Sequence, residues 1–155
     1  MSESDDELTP EEQLRELLEV LVEAFDVDAA VDTSMTEDEL RGTVEGAGAE
    51  ALVGPDGAVI EAVQHIAQRI VLRGSGSVRV IVDAAGYRGR REAELRDEAD
   101  RAAERVLKEG EEVALRPMPA AERRFVHEYL RDRGDVATHS EGDEPRRRLV
   151  IAPLA

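Results

Sequence analysis

LVGPDGAVIEAVQHIAQRIV, residues 52–71, joins a short helical lead-in to a long amphipathic helix through the tight loop Gly54-Pro55-Asp56-Gly57. Val59, Ile60, Val63, Ile66, Ala67, Ile70 and Val71 recur at i, i+3, i+4 and i+7 and predict one buried stripe. A glycine at each end lets the backbone turn sharply and approach a ligand with no Cβ in the way. Gly57 stands where the next helix starts, so unpaired N–H groups and the positive end of the helix dipole face the loop. Such a joint is suited to holding the phosphates of a single strand, with its bases across an apolar groove beside Ile60 and Val63. A plain turn between helices with nothing bound has the same pattern. Asp56 favours that second reading by placing a negative charge in the loop, and it is also placed to cap the helix that follows.

The flanking segments alternate between helical and strand periodicity. Thr9, Pro10 and Glu12 form a capping-box pattern, and Leu14, Leu17, Leu18, Leu21, Val22 and Phe25 continue it as an amphipathic helix. A strand is expected over 27–32, a polar turn over 33–38 and a second strand over 40–45. Beyond the long helix come a loop over 73–77 and a strand over 78–83. A charge-laced helix follows over 87–109, with Leu95, Ala99, Ala102, Val106 and Leu107 on its apolar side and Gly110 as its C-cap. Residues 113–115 suggest a strand and 120–133 a helix with Phe125, Val126, Tyr129 and Leu130 inside. Two last strands are expected over 136–139 and 147–151, joined by the turn 140–145. The expected division is a disordered acidic tail over 1–9, a first domain over 10–86, a connecting helix over 87–110 and a second domain over 111–155. The two domains are expected to touch, with the 87–109 helix as the joint.

The chain has 155 residues and no cysteine, which excludes a disulfide scaffold and any cysteine-based metal site or nucleophile. No apolar run approaches the ~18 residues of a membrane span, and the N-terminus is acidic where a signal peptide is basic. A cytoplasmic protein without membrane insertion is expected. The three histidines, His65, His127 and His139, lack metal-ligand spacing, and His65 is expected to be packed in its helix. No GK[ST] phosphate loop is present, so neither an enzyme nor a cofactor is expected. The net charge of −16 argues against nucleic acid until its distribution is considered. Residues 1–47 hold 16 acids against two bases, and 17 of the 19 arginines lie beyond Gly46. Charges farther apart than ~8 Å are largely screened at physiological salt, so an acidic head leaves a distant basic groove intact.

Arg123 and His127 lie four apart on a predicted helix, about 40° around its axis, and project from one face. Arg131 extends the row, and Arg124 lies beside it, spaced to pair with Glu128. A lone Arg-x3-His is ordinarily a solvated helix face. Here SEGDEPRRRLVI follows, bringing Arg146, Arg147 and Arg148 after a turn; strand alternation sends Arg146 and Arg148 to one face and Arg147 to the other. Two arginine clusters from separate elements, with a histidine able to donate, suit phosphate oxygens.

ERRFVHEYL followed by THSEGDEPRRRLVIAP resembles the R-three-H domain, named for an Arg and a His separated by three residues. The order helix, two strands, two helices about a GxxG, strand, helix resembles the type II KH fold. The two together are similar to the Jag (SpoIIIJ-associated) family, also called the KH-domain RNA-binding protein B family, over residues 14–153. The resemblance implies an α+β protein: a type II KH domain, its three-stranded sheet covered by helices on one face, then a small α/β R-three-H domain. It implies binding of single-stranded RNA or DNA, partnership with a small single-KH-domain protein as homo- or heterodimer, and RNA-level control of cell elongation and division. It makes Gly54, Pro55, Asp56 and Gly57 the KH loop and Arg123 and His127 the name-giving pair. Pro55-Asp56 departs from the family's basic pair, which shifts the expected phosphate contacts to Arg123, Arg124, His127, Arg146, Arg147 and Arg148. The alternative is a protein-interaction adaptor with a degenerate KH fold, its partner faces the apolar groove and the acidic first helix.

Overall fold

The computed structural model describes residues 7–71 and 78–155. Most of the expected disordered tail and the expected 73–77 loop lie outside the described residues. The chain forms two compact units, the first reaching Arg88 and the second starting at Gly89. It is mixed α+β, with four α-helices and two three-stranded sheets among the described residues.

In the first unit, α1 (Pro10–Ala24) starts with the expected capping box: the Glu12 amide donates to Thr9 Oγ1 at 3.2 Å and the Thr9 amide to Glu12 Oε2 at 2.8 Å. Leu14 and Leu18 are fully buried against the sheet. The sheet has the order β1 (Ala30–Met35), β2 (Glu39–Glu45), β3 (Arg79–Ala84). β2 runs antiparallel to β1 and parallel to β3. A parallel pair needs a crossover, and the chain supplies one through a 3-10 turn (Ala49–Leu52), the GPDG loop and α2 (Ala58–Val71). Leu40, Val44, Val80, Val82 and Ala84 alternate onto the helix-covered face and are buried.

Three expectations shift here. The first strand starts at Ala30 rather than Val27, and Thr33 to Met35 belong to it rather than to a turn. Asp26 at φ 52° and the Val27 amide bonded to the Val22 carbonyl keep the chain curled past α1, and the hairpin closes between Thr36 and Glu39 instead. Ile66 and Ile70 are exposed, at 45% and 41%, because a three-stranded sheet shared by two helices leaves α2 only the narrow row Ile60, Val63, Ala67 and Val71. Phe25 at the end of α1 is exposed, and so is His65.

Glu39, at the start of β2, accepts from Arg79 at 2.7 Å and Arg41 at 2.9 Å, and these two cations, Arg79 foremost, hold its carboxyl below the ordinary 4.5. A carboxyl depressed in the folded state contributes stability that is complete above its unfolded value and lost as pH falls through the folded one. Glu39→Gln is therefore expected to flatten the acid limb of the stability curve. Thermal melts on either side of pH 4.5 check this; equal acid sensitivity of variant and wild type would refute it.

In the second unit, α3 (Tyr87–Glu109) contributes Leu95, Ala99, Ala102, Ala103 and Val106, and α4 (Ala120–Arg133) contributes Val126 and Leu130, to a core over the sheet residues Val136, Leu149 and Ile151. The sheet order is β4 (Val113–Ala114), β6 (Arg148–Pro153), β5 (Val136–Glu141), antiparallel throughout. Leu107 is 53% exposed, and Phe125 and Tyr129 are only partly buried. Both aromatics meet the charged flank of α3. The Arg96 guanidinium lies 5.2 Å above the Phe125 ring, and the Tyr129 hydroxyl donates to Asp100 at 2.8 Å. Arg91 donates to both carboxylate oxygens of Glu122, at 2.8 and 3.1 Å, and Arg133 to Asp100 at 2.9 Å. These ties fix α4 on α3 and thereby set the angle at which Arg123 and His127 face the sheet.

Candidate nucleic-acid interface

The GPDG loop keeps its two glycines for reasons internal to the first unit. Gly54 and Gly57 sit at φ 73° and 75°, where a Cβ is strained. A Cβ on Gly54 would come within 2.3 Å of Val59 Cγ2, and one on Gly57 within 2.3 Å of the Tyr87 hydroxyl and 2.5 Å of its ring. Tyr87 also donates to the Asp56 carbonyl at 3.3 Å, so the first residue of α3 lies over the loop. Asp56 takes a left-handed backbone conformation, φ 53°, inside a short 3-10 turn formed by Pro55–Gly57, rather than the expected position of a cap on α2. Ile60 and Val63, expected beside an apolar groove for bases, are 1% and 5% exposed and belong to the core.

The open edge of β3 is occupied as well. The Gln64 side-chain amide donates to the Val80 carbonyl and accepts from the Val82 amide at 2.6 Å. Arg88 Nε donates to the Val82 carbonyl at 2.7 Å, and Asp83 Oδ1 accepts from the Ala84 amide at 2.9 Å. Side chains thus satisfy the outward peptide groups from the Val80 carbonyl to the Ala84 amide, as protected edge strands require. A glutamine on the polar side of a predicted helix carries no sequence signal for that task.

The second unit holds a cleft of about 370 Å³ between the start of α4 and the edge strand β5. Ala120, Arg123, Arg124 and His127 form its helical wall; Thr138, His139 and Ser140 line it from β5, and Arg147 and Leu149 from the approach to β6. Arg123 and His127 share the cleft because they are one helical turn apart. Arg123 is 6% exposed and donates through Nη2 to Glu144, while its Nε is buried with no hydrogen-bond partner among the described residues. His127 Nδ1 bonds Thr138 Oγ1, which fixes the ring against β5. Arg124 is exposed and pairs with Glu128 at 3.0 Å, as the spacing predicts. Arg147 donates to the Gly142 carbonyl at 2.7 Å and makes a longer contact to that of Ser140 at 3.5 Å.

The other expected arginines are elsewhere. Arg148 crosses to Glu141 at 2.7 Å, its register partner on β5. Arg146 is exposed in the turn, its amide bonded to the Asp143 carbonyl at 2.8 Å, and Arg131 is exposed beside Asp132. Neither Arg146 nor Arg148 lines the cleft, because β6 starts at Arg148 and alternation leaves only Arg147 on the side of Leu149. Thr138, Ser140 and Glu144 were not singled out from sequence. The period-two run from Val136 points to the first two once the strand is carried to Glu141; an acid in a turn gives no sign that it will reach Arg123. What the arrangement offers is a cluster of cations and hydroxyls around a concave space, suited to phosphate oxygens on one side and polar ring edges on the other. Among the described residues no group of three or more His, Asp or Glu is placed to hold a metal, and no helix is long and apolar enough to cross a membrane.

This fold and cleft define a protein class by direct comparison: residues 93–153 match the R-three-H domain, the domain of the sequence resemblance, and the matched span begins inside α3. Over a longer span the chain is 31% identical across 147 residues to RNA-binding protein KhpB of Clostridium symbiosum, covering 93% of this chain and 66% of that protein. It is 39% identical across 102 residues to the protein of the same name from Lactiplantibacillus plantarum, covering 65% and 32%. It is 29% identical across 150 residues to that of Bacillus subtilis, covering 95% and 72%. The chain carries an R-three-H domain and is a relative of these bacterial proteins. It spans just under two thirds of the first relative's length and about a third of the second's.

Proposed function

We propose that this chain is a non-enzymatic regulatory protein of the Jag, or KH-domain RNA-binding protein B, family that binds single-stranded RNA, and single-stranded DNA by the same contacts, through its second unit. The observation that carries this reading is the convergence of Arg123, Arg124, His127 and Arg147 on one cleft. The R-three-H match over the same residues and the printed names of the relatives support it. Residues 10–86 serve as the KH domain, and the relatives' resemblance to regulators of cell elongation and division extends to this cytoplasmic chain.

With few aromatics, two Tyr and two Phe, the protein has no stacking platform of the kind many single-strand binders use, so affinity rests on phosphates and polar edges. Neutralising ~4–6 phosphates gives a slope of log K against log salt of roughly −3 to −4. Replacing Arg123, His127 and Arg147 together is expected to weaken binding tenfold or more, measured by fluorescence anisotropy on a labelled oligouridylate. Unchanged affinity would remove the second unit from the mechanism.

Specific observations favour a different task for the first unit. Asp56 in the loop, the Tyr87 ring over Gly57, the buried Ile60 and Val63 and the occupied β3 edge all favour docking to protein over reading bases. A small single-KH-domain protein is the partner of that reading. Pull-down before and after ribonuclease separates the two roles: a protein partner that persists after digestion belongs to the first unit, and one that is lost was bridged by RNA.

A further inference from the structure

The cation most deeply set in the cleft already has an anion on it. The Arg123 side chain is 7% exposed, and the carboxylate that meets it, Glu144, is 58% exposed. A guanidinium withdrawn from water requires a counter-charge, and Glu144 supplies one from the turn between β5 and β6. The pairing is incomplete. Glu144 engages Nη2, while Nε stays buried and unpartnered. A carboxylate reaching in from a turn takes one arm of the fork; a phosphate group, with several charged oxygens, suits two.

We propose that Glu144 is an internal occupant of the cleft's anion position, and that a phosphate of single-stranded RNA binds Arg123 by displacing it. This rests on the nucleic-acid reading of the cleft. The exchange is physically cheap on the leaving side: Glu144 is already more than half in water and is carried by a turn, so it rehydrates without disturbing a helix or strand. It is selective on the entering side, because an anion must out-compete a tethered carboxylate before it reaches Arg123. A weak or singly coordinating anion does not, whereas a phosphate that takes both arms and is held at the same time by Arg147 and His127 does.

Two variants release Arg123 in different ways. Glu144→Gln removes the charge and keeps the size; Glu144→Asp keeps the charge and shortens the reach. Both are expected to bind a fluorescein-labelled oligouridylate about tenfold more tightly than wild type, the size of one charge-assisted hydrogen bond. For Glu144→Gln the slope of log K against log salt steepens by about 0.7, the contribution of one further phosphate on a single strand. Asp143→Asn, which removes an exposed neighbouring charge on the same turn, is the control for general electrostatics, and its affinity is expected to stay within about twofold of wild type. Circular-dichroism melts confirm that each variant is folded.

If wild type binds, Arg123→Gln loses binding, and both folded Glu144 variants bind no better than wild type, displacement is overturned and the reading of the cleft survives. An Asp143→Asn gain equal to that of Glu144→Gln also overturns it, by reducing the effect to net charge. If Arg123→Gln binds as well as wild type, or wild type binds no oligouridylate, the reading of the cleft falls and displacement with it.

Discussion

Arg123→Gln is expected to lower affinity for single-stranded RNA by between tenfold and a hundredfold while leaving the second unit folded. The binding loss follows from removing a charge-assisted donor at the base of the cleft, about 1.5–3 kcal/mol. Burial strengthens the effect, because water cannot substitute for the missing guanidinium. The fold survives for a reason specific to this pair. Truncating one member of a buried ion pair is severe when it strands the other charge out of water, but Glu144 is 58% exposed and is hydrated once released. What remains is lost packing around the arginine stem. Arg123→Lys is an informative partner: it keeps the charge and loses the planar fork, so an intermediate loss is expected. Arg124→Gln, at an 80% exposed side chain already tied to Glu128, is expected to change affinity by less than about threefold. Anisotropy titrations alongside melts check the series. Equal losses at Arg123 and Arg124 would mean that general charge, not the cleft, governs binding.

Gly57→Ala is expected to destabilise the first unit by about 2–4 kcal/mol, from left-handed strain and overpacking combined. The φ of 75° strains any Cβ, and the Cβ itself would lie 2.3 Å from the Tyr87 hydroxyl. For a unit of this size a loss of that order lowers Tm by at least about 10 °C. Calorimetry of the full chain reads it as a shift of one transition and not of both. Combining Gly57→Ala with Tyr87→Ala removes the clash and keeps the strain, so the double variant is expected to fall short of the sum of the two single losses. A Gly57→Ala protein that melts like wild type but binds RNA less well would show that this glycine serves a ligand and not Tyr87.

Local signals carried much of this architecture. The Thr9–Glu12 capping box, the alternating residues of β2 and β3, the GPDG joint and the Arg124–Glu128 pair each depend on neighbours within a few positions in the chain. Helix and strand periods make such neighbours visible. The errors lie where distant elements compete for space. Ile66 and Ile70 satisfy the helical period as well as Val63 and Ala67 do, and only the width of the sheet beneath α2 decides which row is covered. Val27 satisfies the strand period, and only the closing of the hairpin at Thr36 and Glu39 excludes it.

The candidate site divides in the same way. Arg123 and His127 sit on one face because a helix repeats about every 3.6 residues, and that much is determined by the amino-acid order alone. Which of Arg146, Arg147 and Arg148 joins them depends on where β6 begins, a register set by hydrogen bonds to β5 and β4 across the sheet. That Glu144 reaches Arg123, that Gln64 occupies the β3 edge and that Tyr87 lies over Gly57 were decided only by tertiary structure. Each joins residues at least 18 positions apart in the chain, and no local period carries information over that separation. Periodicity specifies which face of an element a side chain occupies; packing specifies what stands opposite that face.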